Sequence, residues 1–293
     1  MKKFIRSILL LILAPCLGGC FNTFSASEAE LTVRDTIENV DTAKSGWDYF
    51  EFGDYGAAIH SFRLAIAKTP DDDFLRLGLA ESYRLSGYNT QAEIQYSKLL
   101  EENSEYRVSA LTGLGHIKLN SEDSSGAFDF FSAAVEENES AWRAWLGLAQ
   151  LRDLANDWKN ADDAYLKALN STNNRGLVLN NHGVSMLARK DLKSALLYFE
   201  MAAAADSSSL RIRTNYAIAQ SMADSARITP TDFSHFGPKD RAVALNNIGY
   251  VAMLQGDLVK AETFFIEAIE VHPSFYAIAH KNLQTLRSKS SVN

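Results

Sequence analysis

A triplet of alanine, aromatic and small residue recurs along this chain at an almost constant step, and nothing else in the sequence constrains the fold as tightly. It appears as Ala58/Phe62/Ala65, Ala92/Tyr96/Leu99, Ala127/Phe131/Ala134, Ala161/Tyr165/Ala168, Ala195/Phe199/Ala202 and Ala261/Phe265/Ala268. Successive alanines lie 34, 35, 34, 34 and 66 residues apart, and the last gap is two repeats less two residues. Within each triplet the spacing of four and then three residues marks one face of a helix. Upstream lies a second periodic set: Gly46/Tyr49, Leu79/Ala80/Tyr83, Leu111/Leu114/Gly115, Trp145/Leu148/Ala149 and Leu245/Ile248/Gly249. Each unit therefore predicts two short amphipathic helices. A pair that small cannot bury its own apolar face, so the units must stack.

The pattern resembles the tetratricopeptide repeat, with a small residue at unit position 8, alanine at 20, an aromatic at 24, alanine at 27 and proline at 32 (Pro70, Pro273). In that register the units run 39–72, 73–106, 108–141, 142–175, 176–209, 210–241 and 242–275. The resemblance implies an all-α, right-handed α-solenoid of about seven helix-turn-helix repeats, its concave side lined by first helices. Two departures stand out. Position 11 of the third and fourth units carries Lys118 and Arg152, where an apolar residue is usual. The sixth unit has a good first helix from Leu210 to about Asp224, but Pro230, Gly237 and Pro238 exclude a full second helix over 226–239. Residues 276–293 read as a capping helix and tail, with Ile278, Leu283 and Leu286 inward and Lys281 and Arg287 outward.

The first nineteen residues are a different kind of segment. Lys2, Lys3 and Arg6 precede an apolar run from Ile8 to Leu17, too short to span a bilayer but suited to a signal peptide. Leu17-Gly18-Gly19-Cys20 resembles the bacterial lipobox. That resemblance implies removal of residues 1–19 and a diacylglycerol and N-acyl chain on Cys20, with no other cofactor. Phe21, rather than aspartate, follows the cysteine and points to the outer membrane, periplasmic face. Residues 20–38 read as the lipidated cysteine and a flexible tether, ahead of the 39–275 solenoid. Processing takes three cations with it and moves the formal charge from −7 to −10, a balance that favours neither nucleic acid nor an anionic surface. The two cysteines, Cys16 and Cys20, exclude a disulfide-built scaffold.

No catalytic constellation emerges. None of the six histidines makes a metal-ligand motif, and phosphate-loop and nucleophile-elbow signatures are absent from the sequence. His182, at an apolar repeat position, reads as a packed core residue. His235 with Asp232, in the irregular segment, is the one conceivable hidden enzyme site. The chain reads as a non-enzyme that works through its groove. Asn181, Asn215 and Asn247 recur at position 6 of the last three units, and Asn180 and Asn246 add amides at position 5. Asparagine is a mediocre helix former, and its amide both donates and accepts, as an extended peptide backbone requires. The ladder resembles asparagines that hold peptide main chain in other tetratricopeptide grooves, with Arg211 and Tyr250 adding a charge and a stacking face. The alternative is that these amides bond to neighbouring helices. In the first half, Trp47, Phe50, Phe74 and Leu77 face inward, the first two for packing.

Lipobox, short tether and repeat run together resemble the TadD family of tight-adherence (Flp) pilus assembly lipoproteins. The stretch Leu245 to Asp257, Ala261, and His272-Pro273-Ser274-Phe275 to Leu283 carries the closest likeness. The resemblance implies a pilotin-like role beside the outer-membrane secretin or its accessory proteins, with protein partners and no small-molecule substrate. The alternative is a general periplasmic adaptor that docks peptidoglycan hydrolases, as NlpI-like lipoproteins do.

Overall fold

A computed structural model describes residues 37–101, 104–223, 233–234, 236–274 and 276–290. The signal segment, Cys20, and the Asp232 and His235 pair lie outside them. Among the described residues the chain is all-α, with fourteen helices in two compact bodies. The first body holds α1 (Ile37–Glu51), α2 (Tyr55–Lys68), α3 (Asp73–Leu85), α4 (Asn89–Glu101), α5 (Arg107–Asn120), α6 (Ser124–Glu137), α7 (Trp142–Leu154) and α8 (Trp158–Asn170). The second holds α9 (Arg175–Ala188), α10 (Leu192–Ala205), α11 (Leu210–Ala223), α12 (Pro238–Gln255), α13 (Leu258–Val271) and α14 (Ala277–Ser290). Within each body every helix packs on its chain neighbours, and alternate first helices touch, as in α3 with α5 and α9 with α11.

The turns inside the hairpins share one chemistry. Unit position 15 is left-handed wherever the hairpin is complete: Gly53, Gly87, Glu122, Asn156, Lys190 and Gly256, with φ between 59° and 86°. The next residue is aspartate in five of those six units and starts the second helix. Asp54, Asp123, Asp191 and Asp257 each accept a hydrogen bond from the backbone N–H three residues on, at 2.9–3.1 Å. Left-handed termination of one helix and an aspartate N-cap on the next leave no spare residue between them. That fixes the hairpin length and so the period.

The position-24 aromatics are the plugs between helices. Phe62, Tyr96, Phe131, Tyr165, Phe199 and Phe265 are all buried. Each ring occupies space that only a missing side chain provides. A Cβ on Gly46 or Gly78 would sit 2.7 or 2.5 Å from a ring carbon of Phe62, and one on Gly115 would sit 2.6 Å from Phe131. Glycine at position 8 faces the plug of its own unit, and glycine at position 6 of the next unit faces it from the other side.

The anomalies of the repeat acquire partners here. Lys118 at position 11 reaches Glu93 of the preceding unit at 3.2 Å, and the guanidinium of Arg152 lies 5.2 Å over the ring of Phe128. Glu93 and Phe128 occupy the same position, 21, of consecutive units. Each substitution for an apolar residue is thus answered across the stack. The sixth unit keeps a plug: Phe233, again position 24, is 2 % exposed and joins the core with Ile218, Leu245 and Ile248. Pro238 is the first residue of α12, whose φ it pre-sets. α1 likewise begins two residues inside the segment read as tether.

The cap corrects one orientation. α14 packs on α13, but Ile278 is 59 % exposed, and Ala279 faces inward with Leu283 and Leu286. Steps of four and three residues keep 279, 283 and 286 on one face, whereas 278 is turned off it by about 100°. Lys281 and Arg287 point outward as expected, Arg287 pairing with Glu262 at 2.8 Å.

Candidate functional site

In the second body α9, α11 and α12 bring the predicted asparagines together. Asn215 Nδ2 donates to Asn180 Oδ1 at 2.9 Å across neighbouring first helices. Asn181 Nδ2 donates to the Leu177 carbonyl one turn back in its own helix, also at 2.9 Å. The cap adds a link that the repeat register did not suggest, Asn282 Nδ2 to Asn246 Oδ1 at 2.9 Å. Asn246 approaches Asn247 Oδ1 only at 3.4 Å. Asn180, Asn181, Asn215 and Asn246 are buried, whereas Arg211, Asn247 and Tyr250 are half-buried. The ladder is therefore two things. Its inner members form a hydrogen-bonded spine between first helices, and Asn247, Tyr250 and Arg211 present polar atoms and a ring at the accessible margin. One inner donor stays unspent: Asn180 Nδ2 is buried without an acceptor among the described residues. Such a group costs about 1–3 kcal/mol until something accepts from it.

The first body holds a polar cluster that the aromatic pattern of the sequence masked. Glu81 and Arg84, positions 9 and 12 of the second unit, form a buried ion pair, with Arg84 Nη2 and Nε donating to Glu81 Oε2 at 2.7 and 3.1 Å. Burial is the largest influence on Arg84 and works against its charge; Glu81 and Tyr96 together outweigh it and raise the guanidinium further above its usual range. The plug Tyr96 lies beside them, its phenol pushed up by burial and by Glu81. His116, position 9 of the third unit, sits edge-on to Phe131 with centroids 5.0 Å apart. Burial, then Arg84 and Arg143, lower it to about 3, so the imidazole is neutral near pH 7. Glu81, Arg84 and His116 follow from the same inner-face register that located the asparagines; their types did not stand out because charged residues on a helix usually face water.

Of the aromatic residues expected on the inner face, Trp47 stacks on Phe74 at 4.6 Å and meets Phe50 and Phe62 edge-on. Phe50 and Leu77 are buried in the core. Packing accounts for them. His182 is also packed, buried and stacked on Tyr198 at 4.0 Å. Among the described residues no group of three or more His, Cys, Asp or Glu side chains is placed to hold a metal ion, and no helix is long and apolar enough to cross a membrane.

Two-helix units, position-24 plugs and an inner face of first helices have close counterparts among solved structures. The fold is the tetratricopeptide-repeat solenoid. A family model described as tetratricopeptide repeat matches residues 44–106. A tetratricopeptide repeat protein from Parabacteroides merdae superposes with a TM-score of 0.54 at 16 % identity, over 85 % of this chain and 98 % of that one. A tetratricopeptide protein of Thermus thermophilus gives 0.57 at 17 % identity, over 62 % and 98 %. Yeast Tom70 gives 0.56 at 12 % identity, over 99 % and 72 %. No curated protein matches the sequence significantly.

Proposed function

We propose that this chain is a lipid-anchored scaffold of the periplasmic face of the outer membrane. It holds segments of partner proteins in its groove during assembly of a tight-adherence (Flp) pilus or a related secretion system, acting for the secretin as a pilotin does. The observation that carries the scaffold reading is the amide set of the second body. Asn247, Tyr250 and Arg211 lie at its margin, and the buried donor of Asn180 lacks an acceptor among the described residues. A polypeptide backbone supplies carbonyls at the spacing such a set can use. The Leu17-Gly18-Gly19-Cys20 motif supports the anchor, and the likeness of lipobox, tether and repeat run together to the TadD lipoproteins supports the pilus assignment.

The test is crosslinked capture of the membrane-anchored protein with mass-spectrometric identification of what is bound, run beside a variant carrying Arg211→Ala, Asn247→Ala and Tyr250→Ala. Recovery of a secretin or its accessory proteins, reduced by the triple substitution, is expected. Recovery of peptidoglycan hydrolases instead would replace the pilus assignment with a general adaptor. Undiminished capture by the variant would remove the amide ladder from recognition.

A further inference from the structure

The repeat supplies its own control for the outer face of the second helices, because positions 22 and 26 lie about one turn apart on that face in every unit. In the other complete hairpins a polar residue takes at least one of the two places: His60, Lys98, Asp129, Lys167 and Glu267. In the fifth unit the pair is Leu197 and Met201, which are 55 % and 41 % exposed. They stand on α10 opposite Ala195, Phe199 and Ala202, which are buried. Ala204, also exposed, carries the apolar stripe one step further along the same side.

Two charged side chains belong to α10, Lys193 and Glu200, and both are exposed. They are seven residues apart, so they share one flank of the stripe. Asp191, the N-cap of α10, is kept ionised chiefly by the Ser194 hydroxyl and N–H, which donate to it at 2.6 and 3.0 Å, with a smaller pull from Lys193. Its oxygens are thus already engaged. Neither Lys193 nor Glu200 forms an ion pair among the described residues. The face therefore combines exposed Leu197 and Met201 with one cation and one anion at heptad spacing. Such a pattern complements itself. When two copies of a helix pack antiparallel about a two-fold axis, each flank meets the same flank of the other copy, and every contact occurs twice. Parallel packing would set the two charged flanks on opposite sides of the pair.

We propose that this face of α10 docks on α10 of a second copy of the chain, forming an antiparallel homodimer. A two-fold axis beside Leu197 sets that side chain against its own copy and lays Met201 along the aliphatic stem of Lys193 in the other copy. Each Lys193 ammonium then comes beside Glu200 of the second copy, giving two equivalent ion pairs that fix register and direction. An amphipathic helix lying on a lipid surface is flanked by cations; the balanced pair here suits a second copy better. The contact uses a second helix, whereas the asparagines lie on first helices, so dimerisation leaves the amide set accessible.

The test is sedimentation velocity of the full chain in detergent over a range of concentrations, with circular dichroism checking the helicity of every variant. The parent should dimerise, and Leu197→Glu should weaken the dimer at least tenfold. Lys193→Glu sets carboxylates against each other twice, and Glu200→Lys does the same with ammonium groups, so each alone should also weaken it at least tenfold. An equimolar mixture of those two variants should recover the dimer, because every pair in the mixed species is then of opposite charge. The double reversal in one chain should recover it too. A parent that stays monomeric throughout would overturn the proposal, as would a dimer indifferent to Leu197→Glu or a mixture that associates no better than its components. A monomeric parent that loses a captured protein in Leu197→Glu would give the face to a different partner. None of these failures alters capture through Arg211, Asn247 and Tyr250, so the scaffold reading is judged separately.

Discussion

Replacing Gly115 with alanine tests the plug architecture where two glycines close on one ring. Gly115 lies inside α5, where alanine is favoured over glycine by about 1 kcal/mol. Its added methyl would lie 2.6 Å from two ring carbons of Phe131. Ordinary carbon contacts lie at about 3.5–4.0 Å, so the overlap is about 1 Å. The ring cannot retreat, because Gly147 closes on it from the next unit and Phe131 is fully buried. Overpacking of this kind costs about 1–3 kcal/mol, and with no free side the upper half of that range applies. The net expectation is a loss of about 1–2 kcal/mol. In a Phe131→Leu background the methyl meets a smaller side chain, and the same substitution should gain up to about 1 kcal/mol through helix propensity. The coupling between the two sites is therefore about 2–3 kcal/mol. Urea denaturation followed by far-ultraviolet circular dichroism measures all four corners of the cycle, and hydrogen exchange in α5 and α7 localises the effect. An alanine that stabilises equally in both backgrounds would refute the claim that glycine is there to admit the ring.

Three further outcomes follow from the packing and charges. Lys190→Gly and Glu122→Gly relieve side chains held at φ 67° and 63°, and each should raise stability by about 0.5–1 kcal/mol in thermal melts. Asn180→Ala leaves the amide of Asn215 without its acceptor and should cost about 1–3 kcal/mol, while adding Asn215→Ala should recover part of that loss in the same urea titration. His116 has its pKa lowered to about 3 in the fold, against about 6.5 unfolded, so the unfolded chain takes up the proton first as the pH falls. The stability this group contributes is complete above pH ~6.5 and is lost toward pH 3. Because the ring is only half-buried, the difference in pH dependence between the parent and His116→Gln should be about 1–2 kcal/mol between pH 7 and 4.5, read from urea midpoints.

The repeat is legible from the chain alone. Its period, the two-helix unit and the core positions are local properties: helix spacing sets which residues share a face, and a unit too small to bury that face must stack. The hairpin turns were legible too, in the Gly-Asp pairs at 53–54 and 256–257. Glu122 and Lys190 hid the same turn because their left-handed backbone is imposed by the packed helices, not by their own preference. Only tertiary structure decided how side chains are spent across units. Lys118 and Arg152 look misplaced until the preceding unit supplies Glu93 and Phe128. The sixth unit looks broken until Phe233 is seen filling the plug position. Asn180 and Asn215 read as two members of a peptide ladder, yet they bond to each other, because residues 35 apart in sequence face one another across stacked first helices. The Arg84, His116 and Arg143 cluster was equally out of reach: the depression of a histidine's pKa is a sum over neighbours in space, and those neighbours come from three different repeats.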